Sequence, residues 1–311
     1  VRVLLAGATG TIGTELTAQL LAAGHEVVGL TRRESGARRL TEAGADGVVA
    51  DILDAGALRE ALAGRQVDAV VHEGTAIAGT PIRHRDLYPT NALRTYGTAN
   101  LLRVARDLGA HRFVTQSFLY VYGYVDHGEV PVTEDAPLGP GGGGAFDRHV
   151  AAMRSNERQV LEADDIDGIA LRYGFFYGAE PATRGMLDSV ARRRLPAPRR
   201  GTGLSLVHVE DAAAATVAAL ERGRGGEAYN VAADERLTWT AYFDAVAEAA
   251  GAKRPLRLPN VVFRASPYLG VLMTRASIHL DSTKAEQQLG WRPSYPSVRE
   301  GLAAVVRGGQ R

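Results

Sequence analysis

The chain has 311 residues, 45% of them hydrophobic and 23% charged, which is enough to bury one large α/β core or two domains. A formal net charge of +1 removes any global attraction to nucleic acid or to an anionic membrane, so neither is expected as a partner. With no cysteine, a disulfide framework, a thiolate metal site and a cysteine nucleophile are excluded together, and no metal is expected.

No apolar run reaches the ~18 residues of a membrane span. The apolar opening, residues 1–6, enters a glycine turn rather than a cleavage site, and reads as the buried first strand of a cytoplasmic protein. Short apolar runs bounded by turn residues or charge predict further strands at 27–30, 48–50, 69–72 and 113–116. Between them, 11–23, 36–43, 55–63 and 86–108 carry apolar residues at helical spacing. Strands alternating with helices predict right-handed crossovers and a doubly wound parallel sheet, the Rossmann architecture. The stretch 137–144, with two prolines and five glycines, reads as a loop or a flap beside the active site. A helix over 147–163 and a strand over 168–172 follow. Beyond residue 173 the rhythm loosens. Residues 192–200 hold five arginines and two prolines and read as a solvated loop, and 256–280 as a lid over an apolar pocket. Residues 1–172 are thus expected to bind the dinucleotide and 173–311 mainly the substrate, with 206–232 returning to the Rossmann core.

The first strand and first helix are joined by Gly7-Ala8-Thr9-Gly10-Thr11-Ile12-Gly13. A helix start presents unpaired N–H groups and a positive dipole end, so Gly7, Thr9, Gly10, Thr11, Ile12 and Gly13 are expected to hold a pyrophosphate. The second strand ends in Leu30-Thr31-Arg32-Arg33, without the acid that would accept a bond from a ribose 2′-hydroxyl. Arg32 and Arg33 suit a 2′-phosphate instead, so the expected cofactor is NADP(H); solvated arginines opening a helix are the alternative. Asp51 and Ile52, after the third strand, are expected beside adenine, unless Asp51 only caps a turn.

These motifs, together with Asp51-Ile52-Leu53-Asp54, Val71-His72, 97–102 (GTANLL), 113–123 (FVTQSFLYVYG), 171–178 (LRYGFFYG), 207–211 (VHVED) and 289–293 (LGWRP), stand in the order found in the extended short-chain dehydrogenase/reductases, which the chain resembles over nearly its whole length. The resemblance implies that Gly74, Thr75, Gln116, Ser117, Tyr173, Gly174, Phe175 and Phe176 line the nicotinamide half. It also implies a Ser, Tyr and Lys that polarise and protonate a carbonyl. That set is missing. Aligned on Val121-Tyr122-Gly123, the serine position holds Phe118, with Ser117 one residue early and so on the other face of a strand. The tyrosine and lysine positions hold His149 and Met153, and Arg94 takes the place of the usual asparagine of the fourth helix. Ser117 and Thr75 are the candidate catalytic hydroxyls, and His149 is a further candidate proton source, an ordinary helix-face histidine being its alternative.

This departure is similar to the atypical ketoreductases of aromatic polyketide biosynthesis, most closely the angucyclinone ketoreductases of simocyclinone-type antibiotic pathways. It implies hydride transfer to a polycyclic aromatic ketone, with the proton drawn from the substrate or water. Phe118, Tyr120, Tyr122, His149 and Phe175 are the expected substrate-binding residues, since aromatic faces stack on fused rings. The alternatives are a non-catalytic NADP(H)-binding regulator and a nucleotide-sugar epimerase or dehydratase. A monomer or a homodimer is expected, the family's dimer face lying on the helices near 90–108 and 147–163.

Overall fold

The computed structural model describes residues 1–77, 79–139 and 144–308. Residues 140–143 of the glycine-rich stretch thus lie outside the described residues. Seven parallel strands form the central sheet: β1 (Arg2–Ala6), β2 (Glu26–Thr31), β3 (Asp46–Val49), β4 (Ala69–His72), β5 (Arg112–Phe118), β6 (Asp167–Tyr173) and, further on, Glu227–Val231. The order across the sheet runs from Glu227–Val231 through β6, β5, β4, β1 and β2 to β3. Val3, Leu4, Leu5, Val70, Val71, Phe113 and Val114 are essentially inaccessible, because helices cover both faces of a parallel sheet. Strand order reverses between β1 and β4, so a crevice opens at their carboxyl ends.

On one face lie α1 (Thr11–Ala22), α2 (Glu34–Glu42) and the later helix Val209–Arg222, which packs along α1. The other carries α3 (Ala55–Ala61) and the fourth-helix region. The single helix expected over 86–108 is instead composite. A 3-10 turn, His84–Leu87, leads into α4 (Tyr88–Ala92); a π turn, Leu93–Gly97, then precedes α5 (Thr98–Asp107). The π turn widens the helix locally and re-aims its side chains, a change that the 3.6-residue pattern does not register. The helix α6 (Ala145–Leu161) follows and packs on β5 and β6.

The C-terminal part carries its own apolar cluster, with Leu204, Trp239, Phe243, Leu272 and Leu302 in its interior. It returns to the Rossmann core through Val209–Arg222 and the edge strand Glu227–Val231. Two of the sequence motifs hold each other there. Trp291 Nε1 donates to the Asp211 carbonyl at 2.9 Å, and the Asp211 carboxylate accepts from the amides of Ser294 and Tyr295 at 2.8 and 3.0 Å. Among the described residues, no helix is long and apolar enough to cross a membrane.

Candidate functional site

Backbone builds the first part of the crevice. Gly7 leaves β1 with φ of 88°, a conformation that side chains resist. A β-carbon there would stand 2.8 Å from the backbone of Glu73 and Gly74, and one on Gly13 would stand 2.0 Å from the Gly7 carbonyl oxygen. The turn therefore lies flat against both the exit of β4 and the start of α1. Gly10 is the N-cap of α1, no side chain caps it, and the first turn carries no acid. Its first amides are left for an external anion, and the cradle suits a pyrophosphate. Thr11 is exposed, whereas Ile12 turns into the core. Thr9 Oγ1 lies 3.5 Å from Thr31 Oγ1, tying the turn to the end of β2.

At that end Arg32 and Arg33 are exposed, and neither forms an ion pair among the described residues. Asp51 Oδ1 accepts the Leu53 amide at 2.9 Å, closing a turn, and Asp54 caps α3. Ile52 is buried, its carbonyl accepts from Asn100 Nδ2 at 2.9 Å, and its side chain sits against Gly97.

The other end of the crevice is made of side chains. After β4, Gly74 is buried and Thr75 exposed. Glu73, which sequence reading passed over, is buried; the Tyr173 hydroxyl donates to it at 3.0 Å and lies 2.6 Å from Thr216 Oγ1. Burial pushes the Glu73 carboxyl up to about 8. The Tyr173 hydroxyl thus serves an interior contact, with Phe176 tilted against its ring at 5.2 Å. Gly174 lets the chain pass the Ser205 carbonyl, 2.7 Å from where a β-carbon would stand.

The strand β5 keeps its geometry through Phe118. Ser117 shares the face of Thr115, whose hydroxyl donates to Asn156 Oδ1 of α6 at 2.9 Å; Phe118 projects from the opposite face and meets Phe175 edge-on at 5.0 Å. This corrects the expectation of Ser117 as a catalytic hydroxyl, because no bulge turns it to the side of Phe118. Gln116 is buried with its Nε2 unpartnered.

On α6, Met153 is buried in the apolar cluster. His149 receives a bond from Asn91 Nδ2 at Nδ1 (2.9 Å), which leaves Nε2–H to donate to His84 Nδ1 (3.1 Å). Burial above all, then the charges of His84 and Arg94, bring the His149 imidazole down to about 4. Both of its nitrogens are committed, so it meets a ligand only through its ring face.

Around it, His84, Tyr120, Tyr124, Phe146 and Tyr268 form one aromatic cluster. Tyr120 stacks on Tyr124 at 4.4 Å, His84 meets Phe146 edge-on at 4.5 Å, and the hydroxyls of Tyr124 and Tyr268 are 3.3 Å apart. Phe118 and Phe175 join it through Tyr120. Tyr268 comes from the segment expected as a lid, and its amide donates to the Ile82 carbonyl at 3.1 Å. Tyr122 does not belong. Its hydroxyl donates to Asn230 Oδ1 at 2.8 Å and accepts from Arg172 Nη1 at 2.8 Å, which corrects its assignment to substrate binding. Tyr124, Phe146, His84 and Tyr268 escaped sequence reading, since contacts across the fold leave no local spacing signal.

The model of the NAD dependent epimerase/dehydratase family matches residues 3–232. A 3-diazoavenalumate denitrifying reductase from a Streptomyces species is 37% identical, over 97% of this chain and 99% of that relative. A 4-hydroxy-2-methyl-3-oxo-4-farnesyl-3,4-dihydroquinoline-1-oxide ketoreductase from Stigmatella aurantiaca is 26% identical over 99% and 96%. Among solved structures, the UDP-glucose 4-epimerase of Thermotoga maritima with UDP-glucose superposes with a TM-score of 0.80 at 23% identity, covering 100% of this chain and 99% of that one.

Proposed function

Because this chain belongs to the NAD dependent epimerase/dehydratase family, we propose that it is an NADPH-dependent ketoreductase acting on a polycyclic aromatic ketone without a Ser-Tyr-Lys relay. The observation that carries the reading is the refilled relay. Phe118, His149 and Met153 stand at the three positions, and the imidazole among them is neutral with both nitrogens engaged. Epimerisation and dehydration of a nucleotide sugar require a group that takes and returns protons at a sugar hydroxyl, and nothing at these positions does so. Reduction is less demanding, because positioning alone supplies a large part of the rate and the proton can come from the substrate's own phenol or from water.

NADPH, when bound, supplies the hydride. Residues 7–13 hold its pyrophosphate, Arg32 and Arg33 the 2′-phosphate, and Asp51 and Ile52 the adenine side. Gly74, Thr75, Gln116, Gly174 and Phe175 border the nicotinamide half. The faces of Phe118, Tyr120 and Phe175 orient a flat substrate and exclude water. Incubation with NADPH and a panel of polycyclic ketones should consume absorbance at 340 nm and yield products heavier by two hydrogens. Tight NADPH binding with no turnover on any ketone would favour the regulator instead.

A second reading draws support from the 37% identical relative, whose name describes a reductase that denitrifies a diazo compound. Replacement of a diazonium group by hydride releases N2 and calls for no proton, which also suits a site without a relay. Gas evolution with an aryl diazonium, and none of the ketones reduced, would decide for it.

A further inference from the structure

The fourth-helix region brings a cation to the aromatic cluster. Arg94 lies in the π turn Leu93–Gly97 and is only 5% exposed. Its Nη2 reaches Gln116 Oε1 at a long 3.5 Å, and its Nε has no partner. The carboxylate whose field it feels, Glu157, is already held bidentately by Arg172, at 3.0 and 2.8 Å. The remaining groups around it bring no negative charge at neutral pH. His72 and His149 are neutral imidazoles, and Tyr124 and Tyr268 are neutral phenols. One positive charge therefore stands inside the protein without a counter-ion among the described residues. Buried charges are ordinarily paired, and leaving one unpaired is strongly unfavourable. Gln116 Nε2 beside it, and the hydroxyl of Tyr120, whose ring stacks on Tyr124, are buried without hydrogen-bond partners. These two atoms can hydrogen-bond a ligand that also meets the guanidinium.

We propose that Arg94 is the specificity anchor of the substrate site, receiving an anionic oxygen carried by the substrate's aromatic ring, a carboxylate or a phenolate-type enolate. Gln116 and Tyr120 complete the recognition, and the stacked rings receive the carbon framework. The π turn is the local device that points the guanidinium inward rather than along the helix surface. This deepens the reductase reading, because it names the substrate class of the same cleft. A guanidinium fork matches carboxylate geometry, and an anion held there fixes a flat molecule in one orientation.

The test uses binding to the NADP⁺-loaded protein, so it does not depend on turnover. Titration calorimetry compares 2-naphthoate, the anion of 2-hydroxy-1,4-naphthoquinone, and neutral methyl 2-naphthoate. At least one of the anions should bind about tenfold or more tightly than the ester, the expectation for a charge-assisted pair in a buried site. Which anion is preferred distinguishes carboxylate from enolate. Arg94→Met should abolish the preference and Arg94→Lys should retain part of it, with NADP⁺ affinity unchanged in both. Equal binding of ester and anions to the wild type overturns the proposal without any variant. So does an Arg94→Met protein that keeps the preference, or one that loses NADP⁺ instead, which would place the guanidinium on the cofactor. An Arg94-dependent anion preference in a protein that reduces nothing would uphold the anchor and defeat the reductase reading.

Discussion

The two ends of the crevice are built from different material. At the glycine turn, main-chain atoms, a helix terminus and the absence of β-carbons make the wall. At the far end, side chains from β5, α6, the fourth-helix region and the C-terminal segment make it, and hardly any is the residue that the family pattern would place there. A backbone cradle tolerates almost no change, because its geometry is its function. A side-chain pocket can exchange every group while the frame stays in place. The first end therefore reports ancestry and the second reports chemistry.

The sharpest break of that contrast is Gly13→Val. Its β-carbon would meet the Gly7 carbonyl oxygen, 2.0 Å away, so the turn must open. NADPH affinity should fall about a hundredfold or more, roughly 3 kcal/mol or beyond, by titration calorimetry on protein whose circular dichroism is native. Undiminished affinity would mean that the cofactor does not lie on this turn.

Next in size is the double variant Arg32→Ala with Arg33→Ala. Both side chains are exposed and unpaired among the described residues, so their loss should barely touch stability. Removing two charge-assisted contacts to a 2′-phosphate should weaken NADPH about 10- to 100-fold and leave NADH unchanged. Parallel loss for both dinucleotides would assign the arginines a structural role.

How much was legible follows the same division. The strand and helix alternation, the glycine turn and the late motifs that meet at Asp211 and Trp291 lie in local patterns that period and spacing reveal. The loss of Ser, Tyr and Lys was legible too, by what stands at Phe118, His149 and Met153. The π turn was not, since one extra residue in a turn leaves apolar spacing nearly intact. Neither was the Glu73–Tyr173–Thr216 contact, whose members are 100 and 43 residues apart in sequence. Side-chain direction decided the rest. Tyr122 and Ser117 have the right type and position along the chain, yet one serves Asn230 and Arg172 while the other faces α6 with Thr115.

Glu73 stands where the two ends meet, its backbone touching the glycine turn and its carboxyl accepting from the Tyr173 hydroxyl. Burial raises its folded pKa to about 8 from an ordinary 4.5. Between those values the unfolded chain has released the proton and the native protein keeps it. Stability therefore falls as pH rises from near 4.5 to near 8 and is level beyond. Glu73→Gln, neutral at every pH, should escape this loss. At pH 8 to 9 it should be more stable than the wild type by about 1–3 kcal/mol, and near pH 5 the difference should shrink toward zero. Urea midpoints at the two pH values provide the measurement. A gain independent of pH would show that the folded and unfolded chains release this proton at the same pH, so that burial does not raise the carboxyl.

The smallest expected effect bears on the chemistry itself. Ser117 is the one hydroxyl of β5 near the position where the family carries its serine, and an activity reading of the sequence would start from it. Strand alternation turns it to the side of Thr115 and Asn156, away from Phe118 and Phe175. Its Oγ is buried without a partner, so removing it deletes an unsatisfied polar atom rather than a bond. Ser117→Ala should therefore keep kcat and KM for the reduced ketone within about threefold, roughly 0.7 kcal/mol, and leave the thermal midpoint unchanged or slightly raised. A loss of about a thousandfold in kcat at constant KM would show that the hydroxyl meets the reacting oxygen in the transition state. The end of β5 would then have to leave strand geometry when the substrate enters, and polarisation of the carbonyl would return from the substrate to the protein.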